Sequence, residues 1–209
     1  MKRVILASRS PRRRELLAHL VAEESIQVLP PSSADEAGFE GLRDWASIES
    51  QLLNIAREKC DDVCGQLADS GAAYDLVVAA DTVGVCGGED GALVVLGQPP
   101  QDSRWQETVA GWFRDYYFGR EHTVLTGLCV ADAAGARVER IAATQVAMVA
   151  EDDELLNWYL TTDEPHGKAG GYAIQGAGSM FVESISGSLS NVIGLPLEVL
   201  REILNEQNR

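Results

Sequence analysis

The sequence predicts an α/β protein with a mixed β-sheet flanked by helices. Short apolar runs typical of buried strands alternate with longer segments of helical periodicity, and no repeat or low-complexity tract interrupts them. The 209 residues are enough to bury a sizeable core, and the content of 45% hydrophobic and 23% charged residues is typical of globular proteins. Because no linker stands out, we expect residues 1–209 to form a single domain with two lobes around a deep cleft.

The first half begins with a strand, a short turn and a helix. The apolar run at 4–7 predicts a buried strand, and a helix is predicted at 11–20 because Ser10 is a favourable N-cap and Pro11 a favourable first helical residue. A segment rich in Pro, Ser, Asp and Gly at 30–41 predicts a loop. The later elements predicted in this half are a long helix at about 47–67, a central strand at 75–81, and a hairpin of strands at 83–86 and 93–96.

The second half continues the alternation and ends in a helix. Its predicted elements are a helix near 105–117, strands at 123–130 and 138–149, a helix at 153–160, a strand at 180–185 and a helix at 197–206. The segment 167–178 is rich in glycine, which lets a backbone approach a ligand closely. Within it, Lys168 and Gln175 are candidate substrate-binding residues, because Gln175 can donate and accept at a base edge. The alternative is that the segment 167–178 is only an irregular turn and that Lys168 is solvated.

The overall charge excludes several classes of partner. Seventeen basic against 32 acidic residues give a formal net charge of −15, which repels polyanions and argues against nucleic acid or an anionic membrane as a partner. A bound phosphate would therefore need a local cluster of cations. The four cysteines form no Cys-x-x-Cys pair and no zinc pattern with histidine, which is typical of reduced thiols. No apolar run is long enough for a signal peptide or a membrane helix, so we expect a cytoplasmic protein.

Three consecutive arginines occupy the first turn of the helix predicted at 11–20. Cations there oppose the helix dipole by about 0.3–1 kcal/mol each, which a fold tolerates if an anion lies beside them. Backbone N–H groups at a helix start and arginine guanidinium groups together form a phosphate site. We expect Arg12 and Arg13 to bind phosphate and Arg14 to point into solvent. The neighbouring Ser10 is a further candidate substrate-binding residue. The alternative is that all three arginines are solvated.

Lys59 and Asp81 are further candidates for the site. Lys59 falls on the apolar face of the long helix, so its ammonium group either snorkels to the surface or reaches a cleft as a phosphate ligand. Asp81 closes an apolar strand. A carboxylate at the end of a strand either holds Mg²⁺ or takes a proton from an attacking water, and the alternative is that Asp81 only forms a turn. Asp35 and Glu36 could add carboxylates from the loop, although solvated loop acids are common. We expect His122, which opens a strand, to be structural.

A series of motifs along nearly the whole chain carries a resemblance to a known family. In chain order they are Leu6-Ala7-Ser8-x-Ser10-Pro11-Arg12-Arg13, Asp35-Glu36, Ala56-Arg57-Glu58-Lys59, Ala79-Ala80-Asp81-Thr82-Val83, Leu96-Gly97-x-Pro99, Gly119-Arg120-x-His122-x-Val124-x-Thr126-Gly127, Asp163-Glu164-Pro165, Lys168-Ala169-Gly170-Gly171-Tyr172, Ile174-Gln175-Gly176 and Asn191-Val192-Ile193-Gly194-Leu195-Pro196-Leu197. With these motifs the chain resembles the Maf family of nucleoside triphosphate pyrophosphatases, also described as septum-formation inhibitors. A Gly-Lys-Ser/Thr P-loop and a Gly-x-Gly-x-x-Gly turn after a strand, which mark other nucleotide-binding classes, are absent from the sequence.

The resemblance implies a Maf/ITPase-like α/β fold with a deep cleft, a homodimer, and hydrolysis of a nucleoside triphosphate between its α- and β-phosphates with Mg²⁺ or Mn²⁺. By position, Asp81 matches the family's proton acceptor and, with Glu36, its metal site. The positions that match its phosphate and metal pocket are Ser8, Arg12, Arg13, Glu36 and Lys59. The positions that match residues separating its substrate subgroups are Arg12, Thr82 and Gln175.

Thr82 and the Ile-Gln-Gly motif are similar to the branch of the family acting on dTTP and UTP. The alternatives are the same reaction on 7-methyl-GTP or a modified purine triphosphate, or a catalytically weak nucleotide-binding regulator of cell division. The regulator alternative rests on Gln98, which stands where the family usually has the lysine of a Leu-Gly-Lys-Pro motif. An amide there supplies no positive charge to a triphosphate, and Lys168 is the candidate to compensate for it.

Overall fold

The computed structural model describes residues 2–33, 38–88 and 90–207. The strands within these residues are β1 (Val4–Leu6), β2 (Ile26–Val28), β3 (Leu76–Gly87), β4 (Leu93–Leu96), β5 (Glu121–Asp132), β6 (Arg137–Met148) and β7 (Val182–Ser186). These seven strands form one sheet in the order β2-β1-β3-β5-β6-β7, and β4 also pairs with β3. The α-helices are α1 (Pro11–Leu17), α2 (Trp45–Ser70), α3 (Trp105–Trp112), α4 (Asp153–Tyr159), α5 (Leu189–Ile193) and α6 (Leu197–Glu206). The predicted α/β fold with a mixed sheet flanked by helices is confirmed.

The sheet is mixed because β1 runs parallel to both of its neighbours and the other strand pairs are antiparallel. Alternate residues of β3 face opposite sides of the sheet, as a pleated strand requires. Val77 and Ala79 pack against α2, whereas Val78 and Ala80 pack in a second cluster with residues of α1 and α6. Helices therefore cover both faces of the central strand, and this explains its nearly continuous apolar sequence.

The helix boundaries follow local signals in the sequence. Ser10 caps α1 as predicted, since its side chain accepts a hydrogen bond from the backbone N–H of Arg13. Asp44 caps α2 in the same way, and Gly71 ends that helix with a φ of 65°. The helix predicted near 105–117 begins as α3 and continues as a π-helical turn, in which the backbone N–H of Phe118 reaches the carbonyl of Phe113.

The prediction that a strand ends at Asp81 is wrong. Asp81 lies in the middle of β3, because the antiparallel pairing with β5 continues from Leu76 to Val85. On the opposite edge, β1 is in register with β3 as far as Val78, and β4 begins at Gly84. Among the described strands, none pairs with β3 between these two positions on that edge. Asp81 lies in this interval, and a cleft opens beside it.

Two short elements were absent from the sequence prediction and one helix is shorter than predicted. The strand β2 has three residues and the helix α5 has five, and both are too short for a periodic pattern. The helix α1 ends at Leu17, before the predicted end at residue 20. No helix in the described part of the chain is both long and apolar enough to cross a membrane.

Candidate active site

A cleft of about 650 Å³ opens beside the middle of β3. It is lined by the turn from β1 into α1, by one residue of α2, by the segment 166–175 and by the turn after α5. Of the described residues that line it, five carry a positive charge and one is acidic, although the whole chain has a net charge of −15. These six residues are Arg9, Arg12, Arg13, Lys59, Lys168 and Asp81. The cleft is therefore a local cluster of cations in an acidic protein, as phosphate binding would require.

Lys59 and Asp81 form an ion pair inside this cleft. The Lys59 Nζ atom lies 2.6 Å from the Asp81 Oδ1 atom, and the two side chains are only 13% and 14% exposed. The face of α2 that carries Lys59 packs on β3 and β5, which explains why a lysine lies among apolar residues of the helix. Of the two alternatives for Lys59, the structure shows the one in which its ammonium group reaches the cleft.

Arg13 is held in the cleft wall by a network of hydrogen bonds. Its Nε donates to the carbonyl oxygen of Gly194 at 2.8 Å, its Nη2 to the Thr82 hydroxyl at 3.1 Å, and its Nη1 to the Ser8 hydroxyl at 3.4 Å. The Thr82 oxygen also lies 2.9 Å from the hydroxyl oxygen of the buried Thr126. The Thr82 side chain, a candidate substrate ligand, thus supports the arginine directly.

Arg12 and Lys168 lie close to each other on the cleft wall. The Lys168 Nζ atom donates to the carbonyl oxygen of His166 at 3.2 Å. Burial, and secondarily the positive charge of Arg12, hold the pKa of Lys168 below its ordinary value. Gln98 lines the same cleft, and the backbone N–H of Gly170 binds the carbonyl oxygen of Gly97, which joins the two segments.

The remaining predicted site residues divide into three groups. Ser10 and Gln175 line the cleft, with Gln175 exposed. Arg14 points away and pairs with Glu23 at 2.7 Å on the surface, as expected for a solvated arginine. Asp35 and Glu36 lie outside the described residues. The structure thus brings together every predicted substrate-binding residue and Asp81.

The described residues also bear on the expected Mg²⁺ or Mn²⁺. No group of three or more His, Cys, Asp or Glu side chains comes together in the described part of the chain. Mg²⁺ nevertheless often binds through one or two carboxylates and the phosphates of a substrate. Asp81 is such a carboxylate, located among cations that would hold those phosphates, so the residues present fit a metal brought by the substrate.

Several residues that line the cleft were not predicted as site residues, and His122 and Tyr172 are two of them. The His122 Nε2 atom lies 2.9 Å from the Tyr172 hydroxyl oxygen. The sequence gave no sign of this contact, because 50 residues separate the two positions. Both occur in motifs of the family resemblance, which was the available signal.

Comparison with solved structures shows the class of fold. A HAM1 protein from Coxiella burnetii aligns with 99% of this chain and 100% of its own length, with a TM-score of 0.51 at 16% sequence identity. At this identity the likeness shows the fold alone, that of HAM1-like α/β proteins.

Comparison of sequences then shows the family. The model described as "Maf-like protein" matches residues 3–207, and the chain belongs to the Maf family. A protein of Anaeromyxobacter dehalogenans named dTTP/UTP pyrophosphatase is 43% identical over 93% of this chain and 89% of its own length. Another of the same name, from Caldicellulosiruptor bescii, is 38% identical over 99% of this chain and 95% of its own length.

Proposed function

We propose that this protein is a nucleoside triphosphate pyrophosphatase that hydrolyses dTTP and UTP to the monophosphate and pyrophosphate. The observation that carries the proposal is that Arg12, Lys59 and Lys168 line one cleft together with the carboxylate of Asp81, which is paired with Lys59. Relatives named dTTP/UTP pyrophosphatase at 38–43% identity support the choice of substrate. Modified pyrimidine nucleotides are possible further substrates of the same site.

The cations would bind and neutralise the triphosphate. The side chain of Arg12 has no hydrogen-bond partner among the described residues, and burial, followed by the charge of Arg12, lowers the pKa of Lys168. A phosphate placed between these two cations would relieve their repulsion, which favours binding of an anion there. Arg13 would add its charge from a fixed position, because Gly194, Thr82 and Ser8 hold its guanidinium group. Ser10 and Gln98 would contact the substrate as neutral neighbours.

Asp81 would accept the proton of the attacking water. Its Oδ1 atom accepts a hydrogen bond from the Lys59 ammonium group, which would orient the carboxylate and leave its second oxygen to take the proton. The water oxygen attacks the α-phosphorus, the bond from that phosphorus to the bridging oxygen breaks, and pyrophosphate leaves with the bonding electrons. Lys59 and the arginines stabilise the charge that develops on the leaving group.

Mg²⁺ or Mn²⁺ would be held by Asp81 and, in our proposal, by Glu36. When bound, such a cation would neutralise phosphate charge and polarise the phosphoryl oxygens. The residues of this chain would still orient the water and hold the polyphosphate in line for attack.

A panel of nucleotides tests the proposal. The purified protein is mixed with Mg²⁺ and dTTP, UTP, 7-methyl-GTP or oxidised purine triphosphates, and released pyrophosphate is measured. We expect turnover of dTTP and UTP above the purines. Preference for 7-methyl-GTP would support the purine alternative, absence of turnover would support the regulator alternative, and direct release of inorganic phosphate would contradict α–β cleavage.

Two variants test the residue roles. Asp81→Asn should lower kcat at least a hundredfold, because it removes the proton acceptor. Arg12→Ala should raise KM for UTP by about ten- to a hundredfold, through loss of a charge-assisted contact. Arg14→Ala is the matched control, since Arg14 pairs with Glu23 outside the cleft, and it should leave both constants unchanged.

We also propose that residues 1–209 form a single domain of two lobes, and that the protein is a cytoplasmic homodimer. The four cysteines are free thiols, which is typical of a reducing compartment. Trp158, Met180 and Leu189 are about half exposed, and such apolar surface is suited to an interface between copies. Sedimentation analysis at micromolar concentration should show twice the mass of the chain.

A further inference from the structure

Five described residues that line the cleft lie beside one another and include no Asp, Glu, Lys or Arg. Gly84 and Val124 are partners in the register of β3 and β5, so they face the same side of the sheet, and His122 follows two residues away on that face. The His122 ring centroid lies 4.6 Å from that of Tyr117 and 5.6 Å from that of Tyr172. These five residues form a neutral wall of the cleft, which is suited to the uncharged part of a ligand.

His122 and Tyr172 form a buried neutral pair in this neutral wall. Their side chains are 3% and 8% exposed, and the His122 Nε2 atom lies 2.9 Å from the Tyr172 hydroxyl oxygen. Burial lowers the pKa of His122 to about 4 and raises the pKa of Tyr172 above its ordinary value. Near neutral pH the imidazole and the phenol are therefore both uncharged.

The contact with His122 leaves the Tyr172 hydroxyl group with unused hydrogen-bonding capacity. The His122 Nδ1 atom is buried and has no hydrogen-bond partner in the described residues, so the contact with Tyr172 is made through Nε2. In one tautomer Nε2–H donates to the Tyr172 oxygen, and in the other Nε2 accepts the hydroxyl hydrogen. In either case the hydroxyl group keeps a further position for a hydrogen bond, and it has no further partner within the described residues.

We propose that Tyr172, positioned by His122, hydrogen-bonds the pyrimidine base with its hydroxyl group, and so helps to determine substrate specificity. This inference rests on the proposed function, and it adds a second uncharged group to Gln175 as a reader of the base. A neutral hydroxyl group is suited to the uncharged carbonyl and N–H groups of a base, whereas phosphate oxygens would bind the cations of the cleft.

The turn that carries Tyr172 is held rigidly, as a specificity contact requires. Gly170 and Gly171 adopt φ angles of 73° and 72°, which favour glycine. The hydroxyl of the fully buried Tyr117 donates to the carbonyl oxygen of Gly170 at 3.0 Å. Tyr74 provides the control, because it is a partly buried tyrosine that packs beside α2 and β3 and is not among the described residues that line the cleft.

The test compares two ligands that are not hydrolysed, UMP and pyrophosphate, by calorimetric titration in the presence of Mg²⁺. For Tyr172→Phe we expect the Kd of UMP to rise about tenfold, as loss of a neutral hydrogen bond predicts, while the Kd of pyrophosphate stays unchanged. For Tyr74→Phe we expect neither Kd to change. His122→Phe should raise the Kd of UMP in the same direction, and His122→Gln, whose amide can both donate and accept a hydrogen bond, should restore part of the affinity.

Each other outcome overturns the inference. Equal weakening of UMP and pyrophosphate by Tyr172→Phe would assign Tyr172 a structural role, and so would an unchanged Kd of UMP. A wild-type protein that does not bind UMP would also contradict it. The proposed function fails separately, if the wild-type protein releases no pyrophosphate from UTP while the titrations still distinguish Tyr172→Phe from Tyr74→Phe.

Discussion

Replacing Asp81 should destabilise the protein, contrary to the common trade-off in which removal of a catalytic group stabilises the fold. Asp81 is the acid among the described lining residues, and five cations line the same cleft. In Asp81→Asn the buried Lys59 ammonium group would lose its ion pair with Asp81, and Arg12, Arg13 and Lys168 would repel it. Lys59→Met should cost less, because the remaining cations still compensate the carboxylate.

The geometry of the pair sets the size of the effect. At an effective dielectric constant of about 20, two unit charges at the observed 2.6 Å interact by about 6 kcal/mol, most of which offsets desolvation. Breaking a buried pair by removing one partner costs about 3–5 kcal/mol. We therefore expect Asp81→Asn to lower the free energy of unfolding by about 3 kcal/mol, and Lys59→Met by about half as much.

The double variant Asp81→Asn with Lys59→Met completes the test. It should be about as stable as Lys59→Met alone, because the lysine that loses its ion pair in Asp81→Asn is also absent. Urea unfolding measures the four free energies, and thermal unfolding should show Asp81→Asn melting roughly 10 °C below the wild type. Additive effects of the two substitutions, or a gain in stability from Asp81→Asn, would refute this account of the cleft.

Three further perturbations test other parts of the structure. In Gly127→Ala the new Cβ would lie 2.9 Å from the backbone oxygen of Leu52, so α2 must shift. We expect the free energy of unfolding to fall by about 1–3 kcal/mol in urea titrations, and kcat to fall when pyrophosphate release is measured. His122 has a pKa of about 4 when folded and about 6.5 when unfolded, so the unfolded state binds more protons between these values and stability should fall as pH falls through that window. His122→Phe should remove about 3 kcal/mol of that dependence in unfolding titrations at pH 7 and pH 4. The Glu164 carboxylate accepts hydrogen bonds from the backbone N–H groups of Ala177 and Gly178, both at 2.8 Å, in the turn after Gln175. Because Glu164→Gln keeps only one acceptor oxygen, this turn should loosen, and KM for UTP should rise severalfold with little change in kcat.

Matched variants serve as controls for these three experiments. Gly65 lies on α2, the helix that Gly127→Ala would displace. In Gly65→Ala nothing lies within 4 Å of the new Cβ, so this variant should not destabilise the protein. His19 is exposed, and His19→Gln should leave the pH dependence of stability unchanged. A drop in kcat without a change in KM for Glu164→Gln would show that Glu164 acts on the reaction instead of the turn that carries Gln175.

Most elements of the fold could be predicted because they carry local signals. Ser10 and Pro11 mark the start of α1, and an apolar face marks α2. The strand β2 and the helix α5 could not be predicted, since their formation depends on neighbours distant in the chain. The polar residue Asp81 suggested a strand end because it interrupts an apolar run, but the pairing with β5 holds the strand across it.

The site was predictable where charge conflicted with local structure. Arg12 opposes a helix dipole and Lys59 lies on an apolar helix face, and both conflicts are explained by the cleft. The partner of Lys59 could not be deduced, because either outcome fits the same helical wheel. The pair of His122 and Tyr172 also required the structure, since neither residue is unusual in its own segment.

The contrast between a cationic cleft and an acidic surface has a kinetic consequence. A triphosphate approaching a molecule of net charge −15 is repelled at long range and attracted only near the cleft. Dissolved ions shorten the range of the repulsion to about 10 Å at 0.1 M ionic strength, whereas contacts inside the cleft are screened less. Moderate ionic strength should therefore speed substrate capture, opposite to the behaviour of enzymes whose whole surface attracts their anionic substrates, and the same repulsion should hasten the departure of pyrophosphate.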